Sequence, residues 1–345
     1  MTKEYQLLCL GNPLLDIQVN GDQALLNKYG LKPNDAILAE EKYLPIYEEI
    51  TALSPRYVAG GAAQNACRGA QYVLPPKSTV YVGCVGKDAY ADQLVQACSV
   101  KGGVRTEYRI EEAVPTGKCA VIITGYDRSM VTDLGAANHY KLEHLKSEKV
   151  WALVENANIF YVEGYRLTVC VPAILALAEH AAATNKVFSM NLSAPFLCQF
   201  FKDAMDQVIP YLDYLIGNES EALAYSESHN WGITDITEIT KKLANLPKVN
   251  TSRPRHVVIT QGTEPTIVAK SAEHTVQTYP VRQIDPADIV DTNGAGDAFA
   301  GGFLGGLVKG EDLPTCVDMG QWLASLSIRE FGPAFPDQKQ VYTKA

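Results

Sequence analysis

The sequence lacks an excess of basic residues and any long apolar run, and each absence excludes a class of protein. The formal net charge is -9 at pH 7, whereas a nucleic-acid-binding protein normally presents a basic surface. We therefore expect no nucleic-acid partner, although a phosphate site needs only a few local donors. No stretch of the sequence approaches the apolar length of a membrane span, so we expect no membrane partner either.

Targeting signals and paired cysteine motifs are also missing. Residues 1–6 lack the basic-then-apolar layout of a signal peptide, and residues 342–345 match no retention or peroxisomal signal. The eight cysteines are scattered, with no Cys-x-x-Cys pair, and a chain with this much apolar sequence needs no disulfide framework. We expect reduced, mostly buried thiols and hence a cytoplasmic protein.

What the sequence does contain is typical of one large α/β domain with insertions. Its 345 residues are 47% hydrophobic and 20% charged, enough to bury a sizeable core. Short apolar runs that predict strands alternate with segments that predict helices. The strands are predicted at 7–10, 79–85, 159–163, 187–192, 214–216 and 256–260, and the helices at 62–72, 90–99, 171–183, 220–226, 297–308 and 315–329. This alternation predicts a largely parallel central sheet flanked by helices on both faces.

Two segments, 16–60 and 116–138, interrupt this alternation. Both lack long helices and carry strand-like patterns, and the second contains a predicted hairpin with a turn at residues 125–128. We predict a small, β-rich and discontinuous lid formed by these two segments. Residues 1–15, 61–115 and 139–345 would then form the large α/β nucleotide-binding domain.

The segment most informative about chemistry is 289–304, Ile-Val-Asp-Thr-Asn-Gly-Ala-Gly-Asp-Ala-Phe-Ala-Gly-Gly-Phe-Leu. Gly294, Ala295 and Gly296 leave backbone N–H groups accessible where a helix begins, and a helix N-terminus favours anions. Asp297 falls in the first turn, where a carboxylate can take a proton from an attacking hydroxyl group. The alternative is that Asp297 only caps the helix and the glycines only form a tight turn.

This segment resembles the C-terminal signature of the ribokinase-like family of sugar and nucleoside kinases. Residues 60–66 (Gly-Gly-Ala-Ala-Gln-Asn-Ala) with 82–88 (Val-Gly-Cys-Val-Gly-Lys-Asp), and residues 217–221 (Gly-Asn-Glu-Ser-Glu), are similar to two further signatures of that family. The three signatures occur in the family's order over about 240 residues. The resemblance implies a ribokinase-like fold with a central sheet and a smaller β-rich lid.

Further strings resemble those family members that phosphorylate adenosine. They are residues 11–16, 31–35, 115–117, 191–196 and 290–297. The resemblance implies transfer of the ATP γ-phosphoryl group to the 5′-hydroxyl group of adenosine, with Mg²⁺ and with or without a monovalent cation. The alternatives are a kinase of another nucleoside or of a sugar, and a nucleoside-binding protein without catalysis. Because the adenosine-phosphorylating members are typically monomeric, we expect a monomer.

The resemblance also assigns roles to individual residues. Asp297 would be the general base, while Gly294, Ala295, Gly296 and Arg128 would stabilise negative charge on the phosphoryl group. The expected nucleoside contacts are Asn12, Asp16, Leu38, Gly61, Asn65, Leu134, Tyr165 and Phe196, with Asp16 accepting hydrogen bonds from the ribose hydroxyl groups. The expected nucleotide contacts are Asn191, Asn218, Thr260, Gly262 and Asn293, and Asn218 with Glu221 would organise Mg²⁺. By the same resemblance, Asp291 would support the anion-binding loop.

Overall fold

Two β-sheets of unequal size organise the chain in the computed structural model, which describes residues 3–33, 35–125, 127–273 and 275–344. Asn34 and Tyr126, which belong to predicted turns, lie outside the described residues. The strands are β1 (Leu7–Leu10), β2 (Leu14–Asn20), β3 (Ala36–Leu38), β4 (Arg56–Gly60), β5 (Thr79–Gly86), β6 (Arg105–Glu111), β7 (Thr116–Thr124), β8 (Asp127–Gly135), β9 (Ile159–Glu163), β10 (Val187–Asn191), β11 (Tyr214–Asn218), β12 (His256–Gln261), β13 (Glu264–Lys270) and β14 (Val276–Tyr279).

A helix lies at each of the six positions where the sequence predicts one, and the described residues form seven further helices that were not predicted. The helices are α1 (Gln23–Tyr29), α2 (Pro45–Thr51), α3 (Ala62–Val73), α4 (Ala89–Val95), α5 (Leu142–Lys146), α6 (Glu148–Asn156), α7 (Val171–Ala183), α8 (Pro195–Phe200), α9 (Lys202–Val208), α10 (Glu219–Ser228), α11 (Ile236–Ala244), α12 (Ala295–Lys309) and α13 (Leu313–Ser327). A π-helical turn, Gln96–Lys101, continues α4. In the described ranges, no helix combines the length and the apolar character that crossing a bilayer requires.

The larger sheet has nine strands within the described residues, in the order β14-β13-β12-β11-β10-β9-β1-β5-β6. The seven strands from β12 to β6 are parallel to one another, and β13 and β14 add an antiparallel edge. Successive side chains of β1 pack into the cores on opposite faces of the sheet. Leu8 packs into the core that contains α6 to α11, and Cys9 packs into the core that contains α3, α12 and α13. Helices therefore cover both faces, and the predicted fold class is confirmed.

Small residues bring helix α12 into close contact with α3 and α13. A Cβ atom at Gly301 would lie 2.7 Å from the Ala66 carbonyl oxygen, and one at Gly302 would lie 2.3 Å from the Met319 carbonyl oxygen. Neither distance is compatible with a side chain, so the two glycines allow backbone-to-backbone packing. As a consequence, the first turns of α3 and α12 lie side by side.

The smaller sheet has the order β3-β8-β7-β2-β4. One of its faces packs against α1 and α2 through side chains such as Ile17, Val19 and Ile122. Because side chains alternate along a strand, Asp16 lies on the opposite face. The five strands of this sheet all come from residues 14–60 and 116–135, while the division of the chain at the predicted domain boundaries stays a prediction.

All eight cysteines are free, and all except the partly buried Cys170 are buried. The expectation of reduced, mostly buried thiols is therefore confirmed. Free cysteine packs as a small apolar residue, and Cys9, Cys67 and Cys316 do so in the core beneath α3 and α12.

Candidate active site

A cavity of about 430 Å³ lies between the two sheets. Asn12, Glu163, Asn191 and Asn218 line it from just beyond, or at, the carboxyl ends of β1, β9, β10 and β11. These four strands are consecutive neighbours in the larger sheet, and the carboxyl ends of parallel strands are where α/β proteins bind ligands. The free face of the smaller sheet covers the cavity, which also contains the beginning of helix α12.

The beginning of helix α12 is open towards this cavity. Gly294 adopts the left-handed conformation (φ 78°), and no described side chain caps the helix. Gly296 has no positive φ, and a Cβ atom there would meet no described atom within 4 Å. Since neither backbone conformation nor packing requires glycine at 296, its missing side chain leaves space beside the N–H groups of the first turn, where an anion could bind. One of these groups, the Ala295 N–H, donates to the Thr292 carbonyl oxygen at 3.2 Å.

Asp297 lies in the first turn of α12 and is partly buried. The side-chain amide of Asn65, from the first turn of α3, donates a 2.9 Å hydrogen bond to Asp297 Oδ2. Burial raises the pKa of Asp297 to about 7, and the bond from Asn65 acts in the opposite direction. A carboxylate with this pKa can accept a proton near neutral pH.

Asp16 faces the cavity from β2 and is 7% exposed. A Cβ atom at Gly60, its neighbour on β4, would lie 2.2 Å from Asp16 Oδ1. Burial and, to a lesser extent, the charge of Asp297 raise the pKa of Asp16 to about 7, against the lowering effect of a hydrogen bond from Asn293. Asp16 and Asp297 thus lie close enough to influence each other electrostatically across one cavity.

Arg128 is buried, although an arginine near a hairpin turn is usually solvated. Its Nε and Nη2 atoms each lie 2.9 Å from Asp291 Oδ1. The same carboxylate accepts hydrogen bonds from the backbone N–H of Asn293 (2.9 Å) and of Gly332 (3.0 Å). Asp291 therefore joins the hairpin of the smaller sheet to the loop that precedes α12.

Asn218 and Glu221 form a reciprocal cap at the beginning of α10. Asn218 Oδ1 accepts from the Glu221 N–H, and Glu221 Oε2 accepts from the Asn218 N–H, each at 2.9 Å. Burial raises the pKa of Glu221 to about 7, while the bond from the Asn218 N–H lowers it. Within the described residues, no cluster of three or more His, Cys, Asp or Glu residues could hold a metal ion. A magnesium ion here would thus need oxygen ligands from water or from a nucleotide.

Glu163 is a cavity residue that the sequence analysis did not identify. It is almost completely buried, and its two oxygens accept from the N–H groups of Asn12 and Ala63, each at 2.6 Å. Burial raises the pKa of Glu163 to about 7, and these two hydrogen bonds act in the opposite direction. An available signal was an acidic residue directly after the apolar residues 159–162, because buried carboxylates require partners.

The apolar part of the cavity contains Leu38, Leu134 and Tyr165 of the predicted wall. Phe196 is not among the lining residues; its ring lies 6.1 Å from the Tyr165 ring, centroid to centroid, so it packs next to Tyr165. Further lining residues that were not predicted are Leu14, Ala36, Ala62, Cys119, Met130, Thr132, Thr168, Ser193 and Thr292. Such residues give no signal in the sequence, because their side chains are those of ordinary strand and loop positions.

The predicted nucleotide contacts divide into two groups. Asn191, Asn218 and Asn293 line the cavity, whereas Thr260 and Gly262 do not. Thr260 pairs with Asn218 in the sheet, so it lies one strand further out at the same edge. Gly262 follows β12 and is exposed. The roles of both residues stay predictions.

The chain belongs to the pfkB family of carbohydrate kinases, which it matches over residues 23–340. It is 51% identical over 340 residues to an adenosine kinase of Schizosaccharomyces pombe, with 98% of each chain covered. The adenosine kinase of Anopheles gambiae, in complex with P1,P4-di(adenosine-5) tetraphosphate, superposes with a TM-score of 0.93 at 44% identity and covers 95% of this chain and 96% of its own. The adenosine kinase of Schistosoma mansoni, in complex with adenosine in an occluded loop conformation, has a TM-score of 0.91 at 38% identity and covers 96% of this chain and 97% of its own.

Proposed function

We propose that this chain transfers the γ-phosphoryl group of ATP to the 5′-hydroxyl group of adenosine and releases AMP and ADP. The observation that carries the proposal is the presence, in one cavity, of the buried carboxylate of Asp16, the partly buried carboxylate of Asp297 and the open beginning of helix α12. A nucleoside kinase needs one group to hold the sugar, one to take the proton and one to hold the phosphoryl group. The named relatives support this choice of substrates.

Asp297 is the proposed general base. Asn65 holds Oδ2, so Oδ1 is the oxygen that accepts the proton of the 5′-hydroxyl group. With a pKa of about 7, Asp297 is substantially ionised at neutral pH and binds the proton more readily than an exposed aspartate would.

The N–H groups of residues 294–296 and the Arg128 guanidinium stabilise the charge of the phosphoryl group in this proposal. The loop before α12 and Arg128 are both attached to Asp291, so the anion donors are held in place before the substrates bind. Preorganised donors of this kind stabilise a transition state without reorganising during the reaction.

Adenosine binds, in this proposal, with its ribose at Asp16 and its base against the apolar wall. One carboxylate can accept from both hydroxyl groups of the ribose, and Asn12, Gly61 and Asn65 border the same part of the cavity. Leu38, Leu134 and Tyr165 provide apolar surface for a purine ring, with Phe196 packed next to Tyr165.

ATP extends along the sheet edge formed by Asn191, Asn218, Thr260 and Gly262, with Asn293 near its phosphates. Asn218 and Glu221 would hold Mg²⁺ through water, and the ion would neutralise charge on the phosphates. We do not assign a monovalent cation to Asp291, because both of its oxygens already accept hydrogen bonds.

We further propose that the protein is a monomer, that it acts on small molecules in the cytoplasm and that it needs no nucleic acid or membrane. One chain contributes every group named above, and eight free cysteines suit a reducing compartment. Light scattering after size-exclusion chromatography tests the oligomeric state, and a dimer that dissociates into inactive subunits would contradict the monomer.

The test is coupled ADP release by the purified protein with Mg-ATP and each candidate acceptor. We expect a large rate with adenosine and little with inosine, guanosine, ribose or fructose. A larger rate with a sugar would show that the acceptor is a carbohydrate and not adenosine. Tight adenosine binding without ADP release would indicate a binding protein.

A further inference from the structure

The chain passes between the two sheets at four places. Residues 11–13 connect β1 to β2, and Gly61 connects β4 to α3. Residues 112–115 connect β6 to β7, and the chain returns to the larger sheet after Gly135. The first two crossings contribute Asn12 and Gly61 to the cavity lining, whereas residues 112–115 and Gly135 do not line it. The shape of the cavity therefore depends most directly on the first two crossings.

Glu163 contacts the first two crossings with a single side chain. Oε1 accepts from the Asn12 N–H and Oε2 from the Ala63 N–H, each at 2.6 Å. Hydrogen bonds to a carboxylate are shorter and stronger than those between neutral groups. Because the carboxylate is 1% exposed, water hardly competes for either oxygen.

The two crossings also touch each other directly. A Cβ atom at Gly61 would lie 2.3 Å from the Asn12 carbonyl oxygen, and Gly61 has φ 92°. A Cβ atom at Gly11 would lie 2.6 Å from Ala63 Cβ and 2.8 Å from Glu163 Oε2. No side chain separates the crossings at these points, so a displacement of one is transmitted to the other.

The groups proposed to bind the ribose and to hold the general base lie a few residues beyond these contacts. Asp16 follows Asn12 on β2, and Asn65 follows Ala63 in the first turn of α3, where it holds Asp297. Sequence distances this short inside regular structure leave little freedom. The Glu163 carboxylate therefore fixes the positions of both Asp16 and the Asn65–Asp297 pair.

The segment after β9 reinforces the first crossing. The fully buried Arg166 donates from Nη1 to Asn12 Oδ1 at 2.7 Å, and the Tyr165 carbonyl oxygen accepts from Asn12 Nδ2 at 3.3 Å. Asn12 is thus held by its backbone N–H and by both ends of its side-chain amide. These three hydrogen bonds fix the position of Asn12.

We propose that Glu163 is a positioning residue: it joins the two crossings and thereby sets the distance between Asp16 and the Asn65–Asp297 pair. The kinetic effect expected of Glu163 rests on the proposed function. The bridge itself, meaning the two hydrogen bonds that Glu163 accepts from the Asn12 and Ala63 N–H groups, does not. A carboxylate is required because two N–H groups need two acceptor oxygens. Glutamine would offer one oxygen and turn an NH₂ group towards the other N–H.

The kinetic test compares Glu163→Gln with Asp88→Asn. Asp88 is the matched control, since its oxygens accept from the backbone N–H and the hydroxyl group of Thr116 at the third crossing, each at 2.7 Å, outside the cavity lining. We expect Glu163→Gln to raise the KM for adenosine at least about tenfold, as loss of a charge-assisted bond would. The KM for ATP should change less than about twofold, and Asp88→Asn should leave both KM values near those of the wild type.

A merely stabilising role for Glu163 would give a different result. Glu163→Gln would then lower the unfolding temperature while the folded fraction kept both wild-type KM values, and that result would overturn the proposal. Parallel increases in the two KM values would also overturn it, because the positioning argument concerns the nucleoside half of the cavity.

Hydrogen exchange provides a readout that needs neither activity nor a folded variant. In the wild-type protein the amides of Asn12 and Ala63 should be protected and should exchange at similar rates, because one carboxylate holds both. Unprotected amides at both positions would contradict the bridge. If protection is found but the wild type releases no ADP with adenosine, the proposed function fails and the bridge stands.

Discussion

Two of the helices that begin at the cavity, α10 and α12, have N-termini that are constructed in opposite ways. Helix α10 has a complete reciprocal cap in which Asn218 and Glu221 satisfy each other's backbone. The N-cap of helix α12 is Gly294, no side chain among the described residues caps the helix, and Gly296 leaves open space above its first turn. A helix end without partners is unfavourable unless a ligand or water satisfies it. From this comparison we predict that α12 binds the transferred group directly, whereas α10 supports the nucleotide indirectly.

Replacement of Asp297 by Asn should have the largest effect. The amide cannot take the proton of the hydroxyl group, so kcat should fall by about 10²- to 10⁴-fold, while adenosine affinity changes little. Single-turnover ADP formation and calorimetric adenosine binding measure the two quantities. Turnover within tenfold of the wild type would show that Asp297 is not the base. Catalysis would then come mainly from the open end of α12.

Gly296→Ala directly tests the open space above α12. Alanine is the better helix former, so unfolding stability should stay equal or rise by up to about 1 kcal/mol. The methyl group would occupy the space assigned to the phosphoryl group, and kcat/KM for ATP should fall about 10²-fold, as after loss of an oxyanion donor.

Gly310→Ala is the matched control at the other end of α12. Gly310 has φ 75°, and a Cβ atom there would meet no described atom within 4 Å. Alanine should therefore lower stability by about 1 kcal/mol, through backbone strain alone, without changing kcat or KM. If Gly296→Ala retained full activity, the interpretation of α12 as the anion site would be wrong.

The pH dependence should be the next largest effect. Burial raises the pKa values of Asp16, Glu163, Glu221 and Asp297, which surround one cavity, each to about 7. Below this pH the base is protonated, so kcat/KM for adenosine should fall by about tenfold per pH unit or more. The same raised pKa values mean that these groups disfavour folding as pH rises from about 4 to 7.

Initial rates across this range, with unfolding temperatures measured in the same buffers, test the pH dependence. Flat activity between about pH 5.5 and 7.5 would indicate that Asp297 keeps an ordinary aspartate pKa in the working enzyme.

Asn218→Ala should have the smallest effect. Loss of the cap should lower the free energy of unfolding by about 1 kcal/mol, and kcat should fall only a few-fold because the contact with the nucleotide is indirect. The Mg²⁺ concentration needed for half-maximal rate should rise. A loss of activity as large as that of Asp297→Asn would show that α10 contributes directly to the reaction.

Much of the fold could be predicted because its signals are local. The strand Leu7–Leu10 and the helix Val171–Ala183 have the bounds that their apolar patterns predict. Helix α11, Ile236–Ala244, was not predicted, although Asp235 caps it and apolar residues recur along one face. The predicted helix at 90–99 instead changes to a π-helical turn at Gln96, a departure that side-chain periodicity does not encode.

The site shows the same division between local and distant information. The loop and first turn that contain Gly294, Gly296 and Asp297 are specified by adjacent residues, because turn conformation, helix start and N–H exposure all depend on a few consecutive positions. The sequence by itself therefore determined the local structure of this loop and of the first turn of α12, while their roles as anion site and base stay predictions. The resemblance to the family predicted most of the residues that line the cavity.

Only the tertiary structure decided which distant groups share that cavity. Arg128 and Asp291 are separated by 163 residues, and Glu163 lies 100 residues from Ala63, yet each pair is in direct contact. No local pattern predicts such contacts, since the first depends on how the smaller sheet is placed over the larger one and the second on how α3 packs against β9. The physical reason is that a buried charge must find its partner wherever packing provides one, and packing is a property of the whole chain.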